Sequence, residues 1–130
     1  MSQESNKLVV QRYIEEVING GKLELIDTFF APDMRERVRG FLTGSNDPFP
    51  DGREEIQDLV AEGNMVMARW IFHGTHQGEF LGIAPTGKPV EITGYGTYRF
   101  ENELIVWDTV SFDWLDALEQ LGATIHGPSN

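Results

Sequence analysis

The chain of 130 residues contains no cysteine. Disulfides, thiolate metal sites and thiol catalysis are therefore excluded, and a reducing cytoplasm is the expected location. No apolar run approaches the roughly 18 to 20 residues that span a bilayer. The first residues, MSQESNK, lack a basic segment followed by an apolar one. We therefore expect neither a membrane segment nor a secretory signal.

Basic residues are scarce, since 10 Lys and Arg stand against 21 Asp and Glu, for a formal net charge of −11. A basic patch that could neutralise phosphates is missing, so nucleic acid and anionic membranes are not expected partners. The acidic excess favours solubility. Length and a hydrophobic content of 40% predict one globular domain over residues 1–130. We expect its core over about 5–123 and a tail over 124–130.

Helices are predicted in the first third of the chain. Apolar residues at helical spacing predict a helix over 5–19, which Gly20 and Gly21 end. A short apolar helix is expected over 23–30, and a third helix over 33–43 with Asp33 as its N-cap. The residues that define the first helix are Val10, Tyr13, Ile14 and Val17.

Four apolar runs predict two β-hairpins, 54–62 with 65–73 and 90–100 with 104–113. If Gly63 and Asn64 form a tight turn, Asp58 lies opposite Arg69. This pair is either a structural ion pair or an arginine held at a pocket wall, where it would bind an anionic or carbonyl group.

The second hairpin carries a set of residues that would form a hollow. A two-residue turn at Asn102 and Glu103 places the set on one face of the sheet. Two glycines beside two hydroxyl side chains would leave room for a small molecule. Alternatively, the glycines let a helix pack closely. The predicted set is Tyr98, Gly96, Gly94 and Ile92, opposite Trp107, Thr109, Ser111 and Asp113.

The segment that joins the two hairpins, residues 74–90, reads GTHQGEFLGIAPTGKPV, and its apolar Phe80, Leu81 and Ile83 should fold onto the sheet. It resembles the signature segment of the SnoaL-like polyketide cyclases and ester cyclases of the NTF2-like superfamily. The last hairpin and the terminal Gln-Leu-Gly at 120–122 match as well, so the resemblance covers about 8–123.

The resemblance implies an α+β fold, the NTF2-like (cystatin-like) cone. In this cone, N-terminal helices pack in the concave face of a curved, mostly antiparallel sheet. It also implies a homodimer. The chain departs from its relatives by a shortened segment over 33–49, by Thr109 in place of a tryptophan, and by Asn102-Glu103 in place of Asp-Gly. Trp107 could supply the missing ring from a neighbouring position.

Two residues are candidates for the chemistry. Asp113 stands where the polyketide cyclase relatives have the proposed general acid/base of an intramolecular aldol ring closure. In an apolar hollow its pKa would rise, which suits proton transfer, or it could merely cap the helix that begins at Trp114. His76 could orient a carbonyl or share a proton with Asp113, or tie down its own loop. His73 and His76 lack a third ligand at a suitable interval, so no metal site is expected.

Three functions fit these observations. The first is a cofactor-independent cyclase, isomerase or hydrolase that uses Asp113 and His76 on an apolar, polyketide-like carbonyl compound. Its substrate would lie among Trp107, Tyr98 and the rest of the hollow, with Arg69 at the wall. The second is a binding module for a small apolar or aromatic ligand, and the third is a structural subunit with a filled pocket. A deep, open cavity would favour the first two.

Overall fold

Residues 2–44, 48–124 and 126–128 are described by the computed structural model. Parts of the predicted tail and of the shortened segment, residues 125, 129–130 and 45–47, lie outside the described residues. No helix in the described ranges is both long and apolar enough to cross a membrane. The elements are α1 (Gln3–Arg12), a π-helix (Tyr13–Asn19), a 3₁₀ turn (Leu23–Leu25), α2 (Ile26–Phe29), α3 (Pro32–Gly44), β1 (Arg53–Glu62), β2 (Met65–Thr75), β3 (Pro89–Glu101), β4 (Leu104–Phe112) and α4 (Trp114–Gln120).

The four strands form one antiparallel sheet in the order β1-β2-β3-β4. Its inner face packs against the N-terminal helices, so the predicted α+β cone is confirmed. The four apolar positions that predict the first helix are all buried. Tyr13 packs edge-to-face on Phe30, with the ring centroids 4.8 Å apart. At this residue the α-helix widens into the π-helix, which continues to Asn19.

The first hairpin has the predicted register next to its turn. Glu62 lies opposite Met65, and Asp58 lies opposite Arg69. Arg69 Nε lies 2.7 Å from Asp58 Oδ2, with side chains 40% and 59% exposed. The pairing prediction is confirmed, and the exposure makes it a surface ion pair with a contribution of about 0.2–1 kcal/mol.

The second hairpin begins as predicted and then changes register. Glu101 lies opposite Leu104, but Arg99 lies opposite Trp107, because a β-bulge adds Val106 to β4. Every pair beyond the bulge is shifted by one residue, which exchanges the two faces of β4. The predicted single-face set is therefore wrong. Tyr98, Gly96, Gly94 and Ile92 face the buried interior, whereas Trp107, Thr109 and Ser111 lie on the exposed outer face.

The turn of this hairpin offers a test of backbone strain. Asn102 and Glu103 both have positive φ, 50° and 70°. Glutamate is disfavoured there by contact between its Cβ and the backbone. We expect Glu103→Gly to raise the free energy of unfolding by about 0.5–1.5 kcal/mol in urea denaturation. Glu101→Gly, in the adjoining strand, should lower it instead, and equal losses in both variants would contradict the prediction.

Candidate functional site

A cavity of about 810 Å³ lies between the inner face of the sheet, the end of the π-helix and the end of α3. This volume lies within the range of small-molecule sites. Its walls are mainly apolar and aromatic, and no Lys, Arg or His is among the described residues that line it. The aromatic lining residues are Phe41, Phe49, Phe72, Phe80, Phe112 and Trp114, and the polar ones are Asn19, Thr43 and Glu54.

The 74–90 segment contributes Phe80 to the wall of this cavity. Phe80 is buried, as expected, with its ring centroid 5.3 Å from that of Phe49 and 5.4 Å from that of Trp114. Ile83 is half-buried. Leu81 is 65% exposed, so the prediction that it anchors the segment is wrong. Phe80 therefore anchors this part of the segment against the neighbouring aromatic rings.

Glu54 brings a carboxyl group to the cavity wall. It is the second residue of β1, it lies opposite Phe72, and only 8% of it is exposed. Its Oε1 atom is buried without a hydrogen-bond partner among the described residues. Burial raises the pKa of Glu54 to about 8. Burial first, and then neighbouring charges that include Glu54, raise the pKa of Tyr13 and Tyr98 as well.

Sequence reasoning missed Glu54 because of a second bulge. Asp58 lies opposite Arg69, yet Ile56 lies opposite Trp70, so Gln57 is the extra residue. Strict alternation from exposed Asp58 would place Glu54 on the outer face. The bulge reverses the alternation and turns Glu54 inward. The sequence carries no glycine or proline at this point that would have indicated the bulge.

Asp113 lies after β4, where it caps α4. Its backbone N–H donates to the Thr93 carbonyl at 2.9 Å, and its Oδ1 accepts from the Asp116 backbone N–H at 3.1 Å. The predicted helix cap is confirmed. The residue is exposed, and the described residues that line the cavity include its neighbour Trp114 but not Asp113. Its role in proton transfer stays a prediction.

His76 is completely buried behind Phe49 and Phe80. Its Nδ1 accepts from the Thr86 backbone N–H at 3.2 Å and lies 2.9 Å from the Thr86 hydroxyl. Because a backbone N–H can only donate, the neutral ring carries its proton on Nε2, which has no partner among the described residues. The ring thus ties the two ends of the loop together, which is the second of the two roles expected for it.

The space at Gly94 and Gly96 is filled rather than hollow. A Cβ atom at Gly94 would lie 2.4 Å from Trp70 Nε1, and one at Gly96 would lie 2.7 Å from the Tyr98 hydroxyl. The glycines therefore permit close packing, but of inward-facing strand side chains and not of a helix. None of the nine residues predicted for the site is among the described residues that line the cavity: Asp113, His76, Trp107, Tyr98, Thr109, Ser111, Gly94, Gly96 and Arg69.

Residues 8–121 match the family model of the SnoaL-like polyketide cyclases. The chain belongs to this family. The resemblance seen in the sequence is thereby confirmed, and it extends through both hairpins, the joining segment and the helices that enclose the cavity. No curated protein matches this SnoaL-like protein significantly.

Several solved structures share the fold of this SnoaL-like protein. IdmH, a proposed polyketide cyclase from Streptomyces antibioticus, is 29% identical with a TM-score of 0.82, over 91% of this chain and 99% of that chain. AclR, a proposed hydroxylase from Streptomyces galilaeus, is 25% identical with a TM-score of 0.81, over 98% of this chain and 87% of that chain. A proposed SnoaL-like polyketide cyclase from Jannaschia, at 18% identity and a TM-score of 0.82 over 95% of each chain, shows the fold alone.

Proposed function

We propose that this SnoaL-like protein is a cofactor-independent cyclase or isomerase that acts on an apolar carbonyl compound, with Glu54 as its general acid/base. The observation that carries the proposal is a buried carboxyl group with an unpartnered oxygen at the wall of an aromatic cavity. Family membership supports the reaction class, and the cavity volume of about 810 Å³ supports a small-molecule substrate.

The raised pKa suits Glu54 to both halves of a proton transfer. With a pKa of about 8, the group is mainly a neutral acid at pH 7 and can donate a hydrogen bond to a carbonyl oxygen. The ionised fraction can remove a proton from the carbon next to a carbonyl. The resulting enolate attacks a second carbonyl carbon of the same molecule, a C–C bond forms, and the new alkoxide takes the proton back from Glu54.

Proton transfer can be tested without the natural substrate. We expect the protein to speed the exchange of the α-hydrogens of 1-tetralone with D₂O, followed by proton NMR. Glu54→Gln should lower the protein-dependent rate by about 100-fold or more, because an amide cannot take up a proton. Glu55→Gln is the matched control, since this neighbour in β1 points to the exposed outer face and should exchange as the unsubstituted protein does.

The variant Asp113→Asn distinguishes the role of Asp113 from that of Glu54. An unchanged exchange rate in this variant is expected if the cap is structural. Loss of exchange in Asp113→Asn with retention in Glu54→Gln would overturn the role of Glu54 and support the role that the resemblance implies for Asp113. Exchange at the background rate in a protein that still binds the neutral dye prodan would indicate that the protein is a binding module.

The homodimer stays a prediction, which sedimentation equilibrium would check.

A further inference from the structure

Asn19 contacts the backbone of Glu54 through both ends of its side-chain amide. Its Nδ2 donates to the Glu54 carbonyl at 2.7 Å, and its Oδ1 accepts from the Glu54 N–H at 2.7 Å. The two residues are 35 positions apart in the chain. Because β1 lies at the edge of the sheet, no strand among the described residues pairs with Glu54 on the side away from β2. The side-chain amide of Asn19 makes the two hydrogen bonds that a peptide group of a further strand would make there.

The π-helix directs Asn19 toward β1. Asn19 is the last residue of this helix, and Tyr13, Ile14 and Val17 bury its other side in the core. A π-helix turns less per residue than an α-helix, so the direction of its last side chain differs from that in a continued α-helix. Gly20 follows directly, and a Cβ atom there would lie 2.6 Å from the Glu16 carbonyl oxygen. The backbone at the end of the π-helix therefore leaves no room for a side chain at position 20, which requires glycine.

We propose that Asn19 is a positioning residue, which holds the start of β1 so that the Glu54 carboxyl stays at the cavity wall and away from water. This inference rests on the function proposed for Glu54. Glu54 is only one residue from the start of its strand, where fraying begins most easily. We call the pair of hydrogen bonds between Asn19 and the Glu54 backbone a clamp. Asn19 and Glu54 both line the cavity, so they belong to the same wall.

The chain contains a second clamp of the same chemistry, which serves as a matched control. Gln120 Nε2 donates to the Glu91 carbonyl at 2.7 Å, and Gln120 Oε1 accepts from the Glu91 N–H at 3.0 Å. This clamp holds the start of β3, and Glu91 is exposed and not among the described lining residues. Removal of either clamp should therefore destabilise the start of a strand. Only removal of the Asn19 clamp should change the pKa of the Glu54 carboxyl.

The experiment measures the pKa of the Glu54 carboxyl in the full chain, from its carbon-13 NMR chemical shift across pH. In Asn19→Ala we expect its pKa to fall from about 8 to below about 6, because water reaches the carboxyl. Asn19→Leu, which keeps the branched shape of the side chain without its hydrogen-bonding groups, is the second variant and should give the same fall. Gln120→Ala should lower the melting temperature by a similar amount and leave the Glu54 pKa unchanged.

The outcomes separate this inference from the proposed function. A Glu54 pKa that stays near 8 in a folded Asn19→Ala or Asn19→Leu variant overturns the positioning role. An equal change in Gln120→Ala also overturns it, because the effect would then reflect general loosening. If the pKa falls only in the Asn19 variants while Glu54→Gln retains 1-tetralone exchange, the positioning role stands and the catalytic proposal falls. An ordinary pKa of Glu54 in the unsubstituted chain overturns both.

Discussion

Glu54→Gln should raise the free energy of unfolding strongly at pH 8, and the gain should vanish below about pH 4.5. The pKa of Glu54 is about 8 in the folded protein, against an ordinary value of 4.5. The folded state keeps a proton that the unfolded state loses across this window. The stability that the neutral acid contributes is therefore complete below about 4.5 and lost as the pH rises toward 8.

Each pH step within the window changes stability by about 1.4 kcal/mol, so the full gain of the variant is on the order of 4 kcal/mol. Glutamine carries no charge and escapes this loss. Urea unfolding of both proteins at pH 4.5, 6 and 8 measures the difference, in which the contributions of other groups cancel. The free energy of unfolding of Glu55→Gln should change with pH in parallel with that of the unsubstituted protein. Parallel curves for Glu54→Gln as well would show that Glu54 ionises normally in the folded state.

Gly94→Ala should destabilise the fold by about 2–3 kcal/mol, because it overpacks the inner face of the sheet. The new methyl group would lie 2.4 Å from Trp70 Nε1 and 3.0 Å from Phe112. Trp70 is only 1% exposed and packs against Phe112, with ring centroids 5.8 Å apart, so a shift of the indole would disturb this buried contact.

The matched control is Gly40→Ala, on the exposed side of α3, where nothing lies within 4 Å of the new Cβ. This change should raise stability by about 0.5–1 kcal/mol, since alanine favours the helix over glycine. Thermal unfolding of both variants measures the two effects. A loss smaller than about 0.5 kcal/mol for Gly94→Ala would contradict the close packing of Trp70 and reopen the hollow predicted there.

Much of the fold could be predicted from the sequence, because periodicity and turn residues act locally. The helical spacing of Val10 to Val17 and the Gly63-Asn64 turn led to a correct first helix and a correct pairing of Asp58 with Arg69. The family resemblance supplied the arrangement of these elements, which local patterns do not contain. Helix boundaries differ by a few residues, as at α3, which begins at Pro32 rather than Asp33.

The candidate site could not be predicted, because two bulges decide which side chains face inward. Gln57 turns Glu54 toward the cavity, and Val106 turns Trp107, Thr109 and Ser111 away from it. Each bulge is a single unpaired residue, and neither carries a glycine. Alternation read outward from a correct turn therefore reports the wrong face beyond it. The error lies in the register of two strands and leaves the fold intact.

The neutral acid at the cavity wall also alters the charge of the molecule. The formal net charge of −11 counts Glu54 as ionised. At pH 7 the folded protein is close to one unit less negative, since the pKa of this group is about 8. Unfolding exposes the carboxyl to water and releases nearly one proton from this residue. Heat-induced unfolding at neutral pH should therefore acidify a weakly buffered solution, and its apparent enthalpy should vary with the ionisation enthalpy of the buffer.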